Sequence, residues 1–129
     1  MPERYTLIRA GNLLVARAAV TGPAGTKVIN LLVDTGSTYT ILPVEVLESS
    51  GLSPAESEDH QRIATGSGYI IAPVVRVRRV STLGRDFHRF PVIGHTLPFG
   101  GPIDGLLGMD LLVRLRAKII VDGASIEAD

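Results

Sequence analysis

The sequence predicts an all-β fold with one or two short helices, and two observations support this prediction. The apolar residues fall in short runs rich in β-branched side chains, and 14 glycines and 8 prolines separate those runs. Short runs between frequent turn residues are typical of strands. A chain of 129 residues is long enough for one hydrophobic core but not for two, so we expect residues 1–129 to form a single domain.

A series of short β runs and two helical segments follow one another along the chain. Strands are predicted at residues 5–9, 13–20, 27–33, 38–42, 62–64, 69–72, 74–80, 87–93 and 118–121, and helices at 44–48 and 109–115. The run at 13–20 is apolar on both faces apart from Arg17, as in a strand covered on both sides. Glycine and proline at 21–26 predict a hairpin loop. Pro43 suits the first turn of the first helix, and Gly51 suits its end.

The second half of the chain opens with a polar connection at 52–61, to which we assign no chemistry. A glycine-rich tip at 65–68 then separates two β runs and predicts a hairpin. The run at 74–80 alternates valine with arginine until Arg79, as in a strand with one solvated face. The locally basic region around this break consists of Arg79, Arg85, His88 and Arg89. We interpret it as a solvated sheet face in preference to a surface for acidic peptide or nucleic acid. A small acidic tail follows the last strand.

The overall charge and composition exclude several classes of partner. Lysine plus arginine equals aspartate plus glutamate at 13 each, so no strong field recruits nucleic acid or an anionic membrane. Without cysteine there is neither a disulfide framework nor a thiolate that binds a metal or attacks a substrate. No signal peptide is apparent, and no apolar run approaches the roughly 18 residues of a membrane-spanning helix. We therefore expect a soluble cytoplasmic protein.

The stretch Leu31–Pro43 places one carboxylate where a strand gives way to a turn. Asp34 directly follows three apolar residues, where desolvation is costly unless hydrogen bonds hold the carboxylate. Thr35 and Ser37 bring hydroxyl groups, and Gly36 lets backbone amides approach because it has no Cβ. The pattern predicts a carboxylate cradle, although the same residue types also make an ordinary aspartate turn.

Two elements of the chain resemble the signature of the retropepsin-like aspartic proteases. The first is Leu32-Val33-Asp34-Thr35-Gly36-Ser37, and the second is Leu106-Leu107-Gly108. With the glycine-bearing hairpin between them, the resemblance extends from about Val15 to Val121. It implies an acid-protease β-barrel or sandwich with one lobe per chain. It also implies aspartic endopeptidase activity on peptide or protein substrates, without a metal or organic cofactor.

The resemblance further implies a role for each matching residue. In the active-site loop, Asp34 is the catalytic carboxylate, Thr35 hydrogen-bonds across a dimer, Gly36 permits close approach, and Ser37 orients the outer carboxylate oxygen. The flap that closes over bound peptide consists of Thr65, Gly66, Ser67 and Gly68. The residues that pack under the active-site loop are Leu106, Leu107 and Gly108. The loop at 95–102 is expected beside the substrate groove, and Met109-Asp110 departs from the residues usual in retroviral members.

The chain supplies only half of the expected catalytic machinery. Peptide hydrolysis by carboxylates needs two of them close together, one ionised and one protonated. Only Asp34 lies in an Asp-Thr-Gly sequence, and Asp104 and Asp110 lack the cradle residues. A two-fold axis between two Asp34 side chains supplies both carboxylates, as in the retropepsin-like family. We therefore expect a homodimer, and we expect the monomer to be inactive.

Three other functions are compatible with parts of the sequence. A serine hydrolase would combine Ser67 with one of three histidines, but the nucleophile-elbow pattern needs glycine where Thr65 stands. A retropepsin-like dimer would also bind an extended peptide or protein partner without cleaving it, because extended peptides add to strands whether or not chemistry follows. A third alternative is a domain of a larger assembly that needs processing or a partner. The intact Asp34 loop favours the enzyme, because a binding protein gains nothing from a buried acidic pair.

Overall fold

The computed structural model describes residues 1–98 and 100–129, and for Thr65 it describes the backbone alone. The strands are β1 Glu3–Thr6, β2 Ile8–Ala10, β3 Leu13–Gly22, β4 Gly25–Val33, β5 Ile41–Leu42, β6 His60–Thr65, β7 Gly68–Thr82, β8 Arg85–Gly94, β9 Gly105–Leu107, β10 Lys118–Ile120 and β11 Ser125–Ala128. The α-helices are α1 Val44–Ser49 and α2 Met109–Arg114, and a 3₁₀ turn spans Pro54–Glu56. Within the described ranges, none of the helices is long and apolar enough to cross a membrane. The predicted all-β fold with two short helices is confirmed.

Eight of the strands form one sheet that closes back on itself. Their order is β2-β3-β4-β9-β5-β8-β7-β6, and β3 also pairs with β7. The other three strands form a smaller sheet in the order β1-β11-β10. In the larger sheet, β9 runs parallel to β4 and β5 runs parallel to β8, whereas the remaining pairs are antiparallel.

Strand β9 determines where the candidate site forms, because it lies between β4 and β5. Leu106 of β9 is opposite Leu32 in the parallel neighbour β4 and opposite Ile41 in the antiparallel neighbour β5. Parallel strands end at the same edge of a sheet. Asp34 follows β4 and Gly108 follows β9, so this topology brings the two signature elements together.

The hydrophobic core draws on both sheets and both helices. Its largest fully buried side chains are Leu31, Leu42, Leu47, Ile93, Leu107, Leu111, Leu115, Ile126, Val15, Val20, Val77 and Val80. Each such side chain stabilises the fold by about 1.5–3 kcal/mol relative to an exposed one. Leu31 of β4 and Leu107 of β9 belong to this set, so the strands that carry the candidate site are anchored in the core.

The smaller sheet corrects two predictions. The run expected at 5–9 divides at the buried Leu7, and its halves β1 and β2 join different sheets. The acidic tail expected after the last predicted strand is wrong, because β11 is the central strand of the smaller sheet. Ile126 and Ala128 are buried, and Gly123 adopts a positive φ of 87° in the turn before this strand. A four-residue strand carries too short an alternation to stand out in the sequence.

The pairing of β7 with β8 explains why the valine–arginine alternation breaks. Strand β7 runs without interruption through both of the β runs predicted in this part of the chain. Its register with β8 skips Arg78 and Arg89, and Arg89 has a positive φ of 51°. The register is the same on either side of this interruption, but the buried positions of β7 change from Val75 and Val77 to Val80 and Thr82. Arg79, which strict alternation with Val77 places on the buried face, is half buried between the two sets.

Candidate active site

Asp34 lies immediately after β4, at the start of the turn that the sequence predicts as a carboxylate cradle. Its backbone N–H donates to the carbonyl oxygen of Leu107 at 3.0 Å, which ties the turn to β9. The N–H of Gly36 donates to Oδ1 of Asp34 at 2.9 Å, and the N–H of Ser37 donates to the Asp34 carbonyl oxygen at 3.2 Å. Hydrogen bonds from backbone amides to a carboxylate are charge-assisted and orient it. The half-buried carboxylate is therefore held in a defined position.

A buried polar network supports the chain beneath this turn. Thr40 is completely buried, and its N–H and hydroxyl group donate to the two carboxylate oxygens of Asp110 at 3.0 and 2.7 Å. Oγ1 of Thr40 accepts a hydrogen bond from the N–H of Gly108 at 3.2 Å. The N–H of Leu111 donates to Asp110 at 2.8 Å. The two signature elements are thus joined by a connected set of hydrogen bonds as well as by packing.

Asp110 is the residue of this site that sequence reasoning missed. Its sequence context predicts no role for it, because it lacks the residues of a cradle. In the structure it lies in the first turn of α2, where a carboxylate also interacts favourably with the helix dipole. Its position two residues after Gly108 is visible in the sequence. Its partner Thr40 is not, because 70 residues separate the two.

The backbone after the cradle is bound to α2. The N–H of Met109 donates to the carbonyl oxygen of Ser37 at 2.7 Å, and the N–H of Asp110 donates to that of Thr38 at 3.1 Å. The strand predicted at 38–42 is therefore reduced to the two residues of β5. These bonds add a second connection between the candidate catalytic turn and the element that follows β9.

The second signature element packs beneath the turn, as the resemblance implies. Leu106 and Leu107 are buried. A Cβ on Gly108 would collide with the carbonyl group of Tyr39 and approach the backbone nitrogen of Thr40. Only glycine allows β9 and the active-site turn to come this close.

The predicted flap is a hairpin between β6 and β7. The two strands pair as far as Thr65 and Gly68, which leaves the exposed Gly66 and Ser67 as a two-residue tip. Gly68 adopts a φ of 132°, a backbone conformation that residues other than glycine rarely adopt. The side chain of Thr65 lies outside the described residues. The predicted hairpin and its turn are confirmed, and its role as a flap stays a prediction.

The half of this hairpin near its tip borders the cavity that contains Asp34. Ile63 of β6 and Ile70 of β7 are paired across the hairpin and line a cavity of about 240 Å³ together with Asp34. His95 and Leu97, from the loop after β8, line the same cavity. This loop was expected beside the substrate groove; Phe99, which belongs to it, lies outside the described residues. Among the described residues, no three His, Cys, Asp or Glu side chains gather as a metal site requires.

Comparison with known proteins agrees with this geometry. A family model described as aspartyl protease matches residues 16–111, which include both signature elements. The chain belongs to the aspartyl protease family. The solved structures include a retropepsin-like aspartic protease from Rickettsia conorii, which matches with a TM-score of 0.74 and 20% sequence identity, over 99% of this chain and 92% of that chain. A search of curated proteins finds no match.

The aspartyl protease chain therefore has a retropepsin-like fold with one lobe, as predicted. In such a lobe Thr35 occupies an exposed position between two hollows of about 540 and 220 Å³, which share Thr35 and Ile119 as lining residues. The exposed apolar side chains that line these hollows are Leu13, Met109, Val113 and Val121. The surface next to the Asp34 turn is thus unusually apolar for one that faces water.

The hydroxyl group of Ser37 has a different partner from the one that the family resemblance implies. It donates to the carbonyl oxygen of Tyr39 at 2.6 Å. A hydroxyl group has one hydrogen to donate, so in the single protease chain Ser37 shapes the turn and does not donate to the carboxylate of Asp34.

The loop that carries His95 is attached to the start of α1. Oγ1 of Thr96 donates to Oε2 of Glu45 at 2.8 Å and accepts from the N–H of Val44 at 3.2 Å. A hydrogen bond from its own backbone amide, followed by the bond from Thr96, lowers the pKa of Glu45 from its ordinary value. The loop that forms one wall of the protease cavity is therefore held by a bond that favours the ionised form of Glu45.

Proposed function

We propose that the protein is an aspartic endopeptidase that acts as a homodimer. Two Asp34 carboxylates, one from each subunit, activate the water that hydrolyses the peptide bond. The observation that carries the proposal is the single cradled carboxylate: among the described residues that line its two cavities, Asp34 is the one acid. A second copy of the chain, related by a two-fold axis, supplies the second carboxylate.

The chemistry follows from a carboxylate pair that shares one proton. Two carboxylates about 3 Å apart do not both ionise. The ionised one takes a proton from water as the water oxygen attacks the carbonyl carbon, and the protonated one donates its proton to the carbonyl oxygen. The acid formed in this step then protonates the amide nitrogen, the other carboxylate takes a proton from the diol, and the C–N bond breaks. One proton remains on the pair, ready for the next cycle.

The apolar surface around Thr35 supports a homodimer. The two hollows on either side of Thr35 are adjacent to Asp34 and are bordered by exposed apolar side chains, including Val113 and Val121, which are 65% and 64% exposed. A subunit interface that buries this surface also brings a second Asp34 turn towards the first. Apolar surface of this kind favours association because its burial removes it from water.

The dimer has a direct test with a matched control. We expect Val121→Asp to convert the dimer to a monomer in sedimentation velocity and to abolish hydrolysis, because it places a charge in the proposed interface. Val28→Asp is the control, because Val28 is 66% exposed but lies far along β4 from Asp34. A Val121→Asp protein that remains dimeric and active would place the interface elsewhere.

A binding module that does not cleave its ligand is the alternative function. The paired isoleucines of the hairpin and the aliphatic floor of the cavity would hold an extended peptide whether or not chemistry follows. The cradled Asp34 favours the enzyme, because binding an apolar peptide does not require a desolvated acidic pair.

The experiment that tests catalysis compares the wild type with Asp34→Asn. A denatured protein mixture is digested at several acidic pH values, with and without a statine-type transition-state analogue. We expect Asp34→Asn to lower hydrolysis by about 10³-fold or more while circular dichroism and sedimentation remain unchanged. We also expect a bell-shaped pH profile in the acid range. If the wild type is a folded dimer that hydrolyses nothing in the mixture, the result would instead support the binding module.

A further inference from the structure

The cavity beside Asp34 is lined mainly by aliphatic side chains, and its lining includes one basic side chain. The aliphatic residues are Ile41, Ile63, Ala64, Ile70, Leu97 and Leu106. Among the described lining residues His95 is the single basic side chain, and Asp34 is the single acid. An extended peptide that crosses this cavity meets apolar surface and one group that attracts a negative charge.

The backbone around His95 fixes its position. The N–H of His95 donates to the carbonyl oxygen of Leu42 at 3.0 Å, next to α1. The following residue, Thr96, is bonded to Glu45 and Val44. Among the described residues that line the cavity, the acid that shares it with His95 is Asp34. His95 is half buried.

The pH range of the proposed reaction decides which peptide side chains carry a charge. Carboxylate pairs that share a proton operate in acid, where histidine side chains in general are positively charged. At about pH 5 most glutamate side chains of a peptide are still ionised. Attraction between an imidazolium and a carboxylate is stronger in a groove that excludes water than in open solvent.

We infer that His95 is a specificity-determining residue that selects peptides with an acidic side chain close to the scissile bond. This inference rests on the proposed function. The substrate class is an extended peptide with aliphatic side chains at the bond and Asp or Glu a few residues away. A two-fold dimer places one His95 on each side of the bond, so the acidic preference occurs at one position on each side.

The test uses pairs of peptides that differ by a single Glu or Gln. Each peptide has two aliphatic residues at its centre, and the Glu or Gln occupies one of the three positions on either side. At about pH 5 we expect a kcat/KM roughly tenfold higher for Glu than for Gln at one position on each side. His95→Gln should reduce this ratio to about one, and His95→Lys should preserve it. His88→Gln, on the exposed part of β8, is the matched control and should leave the ratio unchanged.

The outcomes separate this inference from the proposed function. A wild-type ratio near one, or an unchanged ratio in His95→Gln, overturns the inference and leaves the protease intact as a proposal. If no peptide is cleaved, the protease proposal fails, and equilibrium binding of fluorescent Glu and Gln peptides then decides the role of His95. Tighter binding of the Glu peptide that is lost in His95→Gln supports the acidic subsite, whereas equal binding overturns it.

Discussion

The active-site turn and the tip of the hairpin are both short and both have glycine in or beside them, but their surroundings differ. The turn is held from below by Thr40 and Asp110 and is packed against Gly108, where a side chain has no room. At the tip, a Cβ built on Gly66 or Gly68 meets no heavy atom within 4 Å. Glycine thus permits close contact in one region, and it shapes an open turn in the other.

The difference matches the separate tasks that the proposed function sets. A catalytic carboxylate works only when it is held within about 0.5 Å of its productive geometry, so hydrogen bonds and packing must surround it. A flap must leave clearance for a peptide to enter before it closes. The contrast predicts that equivalent substitutions have very unequal effects in the two regions.

Gly108→Ala should have the largest effect. The new Cβ would collide with the backbone of Tyr39 and Thr40, which cannot move without separating β9 from the active-site turn. We expect a loss of about 3 kcal/mol or more in the free energy of unfolding, measured by urea denaturation with circular dichroism. Gly66→Ala is the control and should change this free energy by less than about 0.5 kcal/mol. Equal losses in the two variants would remove the contrast between the regions.

Thr40→Val should have a smaller but clear effect. Valine has the shape of threonine without the hydroxyl group, so the N–H of Gly108 loses its acceptor and one oxygen of Asp110 loses a donor in a buried site. The Asp110 oxygen keeps its bond from Leu111, but leaving the N–H of Gly108 unpaired costs about 1–3 kcal/mol. Urea denaturation measures the loss, and hydrolysis by the folded variant should fall as well, because the turn beneath Asp34 loosens. Thr38→Val, at an exposed position, should change neither.

The sequence predicted the parts of the site that are local in the chain. The strand, turn and glycine around Asp34 are consecutive, and Leu106 to Gly108 are consecutive. Each motif can therefore be recognised from neighbouring residues alone. The hairpin turn was likewise predicted from two glycines close together in the sequence, Gly66 and Gly68. The network of Thr40 with Asp110 was not predicted, because a buried hydrogen bond across 70 residues depends on how β9 inserts between β4 and β5.

The fold shows the same limit. The short helices and most strands follow from turn residues and alternation, whereas β11 was missed. Its residues Ile126 and Ala128 are buried in a sheet in which β1 and β10 lie on either side of β11, and this pairing cannot be read from four residues. The family resemblance placed the loop at 95–102 beside the groove, but the position of His95 beside Asp34 was not predicted. Neither residue type nor spacing alone indicates which of three histidines faces a cavity.

The loop that carries His95 is intermediate between the two regions, since it is attached by the bond between Thr96 and Glu45. The backbone amide of Glu45 and, to a smaller extent, this bond lower the pKa of Glu45. Both bonds therefore contribute stability above the ordinary titration range of glutamate and lose that contribution as the pH falls through the lowered pKa. Thr96→Val should move the pKa of Glu45 part of the way back, because the larger contribution of its own backbone amide remains. An NMR titration of the Glu45 carboxyl carbon measures this shift, with Thr6→Val in the exposed β1 as the control. A pKa that is the same in all three proteins would mean that Thr96 does not hold this wall, and that the fixed position of His95 depends on its backbone bond to Leu42 alone.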